Sequence, residues 1–66
     1  MSYLAVDEDG EEGLFDPKPI RGYDGLGFWY TCKQGNYVEE FLPIGSIEKL
    51  IGRKLTWKDE PVNLLG

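Results

Sequence analysis

The sequence predicts a small α+β fold, mainly β: a twisted antiparallel sheet or partly closed barrel, ordered β-β-β-β-α-β, with one short helix. Three observations carry this. Short alternating runs of apolar and polar residues are punctuated by turn signals built on Gly, Asp and Asn. Only Pro43 to Ile51 repeats its apolar residues at helical spacing. At 66 residues the chain has room for one small domain, 1–66, near the lower limit for folding alone.

Tyr3 to Asp7 reads as the first strand, with Leu4 and Val6 on one face and Tyr3 and Ala5 on the other. Asp9-Gly10 is a hairpin turn signal. Gly13 to Asp16 returns as a short second strand, which Pro17 and Pro19 mark as an edge strand or extended lead-out, because proline cannot donate to a ladder. Arg21 to Gly27 is loop-like, with Asp24-Gly25 as a turn. Leu26 to Lys33 is the expected central strand, with Phe28, Tyr30 and Cys32 on one face and Trp29 and Thr31 on the other. Gln34-Gly35-Asn36 turns the chain, and Tyr37 to Leu42 pairs back. A slip of one residue there would exchange its faces.

Ile44, Ile47, Leu50 and Ile51 form the apolar stripe of the helix. Pro43 and Ser46 are alternative starts, one as a first-turn proline and the other as a cap. Gly52 fits the position just past the end, where Arg53 and Lys54 suit the negative pole of the helix dipole. Leu55 to Lys58 reads as the last strand, and Val62 to Gly66 as a tail.

Composition excludes more than it identifies. One cysteine excludes an internal disulfide, and the absence of histidine removes both Cys/His zinc chemistry and the usual general base. Neither serine lies in a G-x-S-x-G setting. The chain is therefore expected to be no enzyme, with no cofactor, no metal site and no catalytic residues. The net charge of −5 argues against direct nucleic-acid binding. Neither a leader pattern nor an apolar run of spanning length is visible, so a cytoplasmic location without membrane contact is expected.

Phe28-Trp29-Tyr30 points to both faces of its sheet, and so small a chain has little with which to cover the second. A partner surface is implied: another copy in a homodimer, a target protein or a flat ligand. The acidic run Asp7-Glu8-Asp9-Gly10-Glu11-Glu12 reads either as a solvated hairpin tip or as a phosphate-mimicking surface. Trp29, Tyr30 and Tyr23, with that tip, form the expected contact set. Arg21 beside the glycine loop, the open helix start at Gly45-Ser46, and Arg53 and Lys54 form an alternative set suited to an anion.

The opening Tyr3-Leu4-Ala5-Val6-Asp7-Glu8-Asp9-Gly10-Glu11-Glu12-Gly13 and the stretch from Leu42 to Val62 resemble small accessory proteins of tailed phages and prophages. That resemblance covers about half the chain and brings no assigned site residues. It implies a protein made inside an infected bacterium that binds a host or antiviral-defence protein stoichiometrically and inhibits it. Three alternatives remain at this point: a sponge that sequesters a nucleotide immune signal at a dimer interface through Arg53 or Lys54, an acidic DNA mimic, and a minor structural or packaging accessory.

Overall fold

The computed structural model describes residues 2–22, 26–31 and 38–64. Its elements follow the order β1 (Tyr3–Val6), β2 (Glu12–Asp16), β3 (Ile20–Arg21), β4 (Trp29–Tyr30), β5 (Val38–Leu42), α1 (Ser46–Ile51) and β6 (Val62–Asn63). Four strands form one antiparallel sheet, ordered β5-β2-β1-β6, and β3 and β4 form a separate antiparallel ribbon. Neither sheet closes, so the expected α+β fold is present as an open sheet rather than a barrel.

The β1–β2 hairpin sets two distinct faces. Leu4 opposes Leu14 and Val6 opposes Glu12, while Ala5 opposes Gly13 and Tyr3 opposes Phe15. Leu4, Val6, Leu14, Leu42 and Val62 therefore share one face, where Ile47 of α1 and Leu55 cover them. Ala5 and Phe15 share the other, where Trp29 and Trp57 cover them. Two small cores thus lie back to back across one sheet. Leu4 and Ile47 are fully buried, each contributing roughly 1.5–3 kcal/mol relative to exposure.

Several elements differ from the sequence expectation. β2 is interior, with β1 on one side and β5 on the other. Its prolines begin only after Asp16, so every residue of the strand keeps its donor. Among the described residues of the expected central strand, Leu26 to Lys33, Trp29 and Tyr30 are the ones in a strand, and these pair with Ile20 and Arg21. Gly27, at φ 69°, breaks the extended run just before them. β5 pairs with β2, in the register Glu12↔Leu42 to Asp16↔Val38, and lies in a different sheet from β4.

The helix is shorter than its apolar spacing suggests. Gly45, at φ 95°, turns the chain into α1, so Ile44 falls outside the helix and is 74% exposed. Leu50 also faces away from the sheet, leaving Ile47 and Ile51 as the buried stripe. Gly52, at φ 79°, ends the helix, its N–H donating to the Glu48 carbonyl at 2.8 Å.

Leu55 to Lys58 is not a strand. The Thr56 amide and hydroxyl both donate to Asp59 Oδ2, at 2.8 and 3.2 Å, and the Asp59 amide donates back to the Thr56 carbonyl. These local bonds close a turn over 56–59 in place of a ladder. The final strand is β6, in what the sequence marks as tail, where Asn63 and Val62 oppose Tyr3 and Leu4. The expected turns at Asp24-Gly25 and Gln34-Gly35-Asn36, and the placements of Tyr23, Cys32 and Tyr37, lie outside the described residues.

Candidate functional site

The aromatic triplet does face two ways, but with its roles divided. Trp29 points inward and is 3% exposed. Its indole N–H donates to the Val6 carbonyl at 2.9 Å, and its ring meets Trp57 edge-on, with centroids 5.6 Å apart. Arg21 directly opposes Trp29 in the ribbon, and its guanidinium carbon lies 4.4 Å from the Trp29 centroid and 4.5 Å from that of Trp57. The same guanidinium donates to the Trp57 carbonyl. Arg21 is thereby committed to two indoles, a geometry in which each cation–π contact contributes roughly 0.5–2 kcal/mol. Trp29 is a core residue and cannot serve as the expected surface contact.

The outer face of the ribbon is apolar. Ile20 opposes Tyr30, and the Phe28 ring meets that of Tyr30 edge-on at 6.3 Å. Gly22 extends the pairing through its N–H to the Phe28 carbonyl, and Leu26 lies over Gly22, 3.2 Å from where a Cβ would stand. Ile20, Leu26 and Phe28 are 52%, 44% and 41% exposed, and Tyr30 is half-buried. A four-residue apolar patch therefore covers a ribbon whose opposite side is locked to the core.

This patch abuts the acidic hairpin tip. The Glu8 amide donates to the Gly27 carbonyl at 2.9 Å, and the Glu8 side chain lies against Gly27, between Leu26 and Phe28 in sequence. The Trp29 amide donates to Asp7 Oδ1 at 3.0 Å. The hairpin tip thus clasps the ribbon through the Glu8 amide and the Asp7 carboxylate while the Glu8, Asp9 and Glu11 residues remain exposed.

Oxygens of Asp7, Asp9 and Glu11 lie within 4.8 Å of one another, a hard-oxygen set of the type calcium takes. The Trp29 and Glu11 amides already occupy Asp7 Oδ1 and Asp9 Oδ1, which makes the group an internal brace. Burial pushes the Asp7 carboxyl above the ordinary carboxylate range; the Trp29 amide opposes this, and the Asp9 charge adds to it.

The alternative anion site is organised differently from its expectation. Glu12 reaches from β2 to the helix start, its Oε2 accepting from the Gly45 amide at 2.7 Å and its Oε1 from the Ile47 amide at 2.8 Å. The donors assigned to an incoming phosphate already hold a carboxylate. Arg53 and Lys54 are exposed beyond Gly52; Lys54 shares a cleft of about 380 Å³ with Glu12, Gly45 and Ile47, and the Arg53 charge acts on Asp59.

The exposed ribbon face includes Tyr30 of the expected contact set and, beyond that set, Ile20, Leu26 and Phe28. The signal for Ile20 was faint: an isolated apolar residue between Pro19 and Arg21. Comparison with protein-family models, curated proteins and solved structures gives no match to this chain.

Proposed function

We propose that this protein acts by stoichiometric binding and not by catalysis, and that its contact surface is the outer ribbon face together with the acidic rim beside it. The observation that carries this reading is the contiguity of Ile20, Leu26, Phe28 and Tyr30 with Glu8 across Gly27. An apolar centre supplies affinity, and a charged rim steers association and selects a partner of opposite sign. The complementary partner is a protein with an apolar patch flanked by basic residues.

Together with the resemblance at both ends of the chain, this supports a phage-type accessory protein that inhibits a host or antiviral-defence protein inside the bacterial cell. In the absence of target the same exposed apolar face pairs with a second copy, as a homodimer. The test is affinity capture from phage-infected bacteria with wild type and with Ile20→Ser/Phe28→Ser. Loss of a stoichiometrically bound protein in the variant supports the reading, and equal capture contradicts it.

The DNA-mimic reading draws support from the clustered Asp7, Asp9 and Glu11 oxygens. It requires that Glu8→Gln, Asp9→Asn and Glu11→Gln together abolish target binding, which would also weaken steeply with salt. The nucleotide-sponge reading loses the helix-start donors to Glu12 and rests on Arg53 and Lys54 alone.

A further inference from the structure

An open groove of about 600 Å³ runs between the hairpin tip and the 55–58 segment; it shares Glu8 with the rim of the ribbon face and includes none of Ile20, Leu26, Phe28 and Tyr30. This volume falls within the ~300–1,000 Å³ typical of ligand clefts. Val6, Leu55 and Trp57 give the groove apolar surface, while Asp7 and Glu8 line it on the hairpin side and Lys58 on the other. Glu12 also borders it, but its carboxylate is bound to the helix start.

We infer that this groove receives an arginine side chain presented by the partner protein. An arginine combines a long apolar stem with a planar cation, and each part has a counterpart here: Val6, Leu55 and Trp57 for the stem, and for the guanidinium Glu8 with Asp7, whose Oδ1 also holds the Trp29 amide. The molecule already uses Trp57 in this way, holding Arg21 on its ring at 4.5 Å. Charge complementarity favours a cation over a neutral or anionic guest, since the chain carries −5 and the adjoining hairpin tip is acidic. The desolvated Asp7 carboxylate adds a local reason, because a neighbouring cation offsets the cost of its burial. Lys58, which also lines the groove, carries the same charge as the guest. The inference rests on the stoichiometric-binding reading only for what carries the arginine.

The experiment is an NMR titration of the ¹⁵N-labelled protein with a blocked tripeptide bearing a central arginine, and with its neutral citrulline counterpart. Saturable shifts are expected at the Trp57 indole N–H and the amides of Asp7, Glu8 and Thr56, with the Trp29 indole unmoved and citrulline silent. Glu8→Gln weakens binding roughly threefold to fivefold, the effect of one near-surface charge, and Lys58→Gln strengthens it by a similar factor. Equal shifts with citrulline overturn the inference. So do shifts spread evenly over Glu39, Glu40 and Glu48. Because the tripeptide does not involve the ribbon face, arginine binding combined with unchanged capture by Ile20→Ser/Phe28→Ser overturns the ribbon reading and leaves the groove standing.

Discussion

The Glu12 carboxylate accepts the Ile47 amide at 2.8 Å, joining the middle of the sheet to the first turn of the only described helix. The other oxygen of the same carboxylate takes the Gly45 amide. Six residues are too few to hold a helix in water by propensity, so α1 depends on tertiary anchors. Glu12 supplies a cap from a distant strand where Gly45 has no side chain to offer.

Replacing Glu12 with Ala is expected to destabilise the protein by about 2–3 kcal/mol, since two amides lose a charged acceptor. Glu12→Gln should cost less, because its single carbonyl oxygen still satisfies one donor. Urea unfolding of the three proteins checks the order wild type, Gln, Ala.

Asp7 and Asp59 should respond to pH in opposite directions. The folded-state value of Asp7 is raised, so its contribution to stability is present below the unfolded value and is lost as pH rises through the folded one. Asp59 is lowered, chiefly by the Thr56 amide, so its contribution holds above the unfolded value and is lost as pH falls through the folded one. Asp7→Asn keeps an acceptor for the Trp29 amide and removes the buried charge. It is expected to raise the melting temperature at neutral pH, whereas Asp7→Ala lowers it.

Arg21→Ala is expected to cost about 1–3 kcal/mol through loss of its contacts with Trp29 and Trp57, with a change in the near-ultraviolet dichroism of both indoles. Arg21→Lys should recover only part of this, since an ammonium cannot stack as a plane. Trp29→Ala removes a core side chain and should cost about 3–5 kcal/mol.

Among the described residues, Thr31 buries its hydroxyl without a hydrogen-bond partner. Thr31→Val removes that unmet group while keeping the shape, and is expected to be neutral or stabilising by about 1 kcal/mol in thermal unfolding.

The parts of the fold legible in sequence were those fixed by local pattern. Alternation assigned Leu4 and Val6 to one face and Ala5 to the other, Asp9-Gly10 marked the hairpin, and Gly52 marked the helix end. The misread parts depended on side-chain bonds and contacts that periodicity does not show, one of them local and the others distant in sequence. Leu55 to Lys58 has strand-like composition, yet Thr56 and Asp59 satisfy each other first. Phe28-Trp29-Tyr30 correctly announced a two-faced segment. Which face would be buried was set by Val6, Arg21 and Trp57, none of them adjacent in sequence. Glu12 looked like one more acid in a charged run because its partners lie 33 and 35 residues away.

The most direct test of binding through the ribbon face is native mass spectrometry of complexes captured from phage-infected bacteria, using wild type and Ile20→Ser/Phe28→Ser matched for folding by circular dichroism. The account predicts that wild type carries one protein in fixed molar ratio and that the variant, equally folded, carries none. The same complex on both proteins, or a nucleotide-sized mass on wild type in place of a protein, would contradict it.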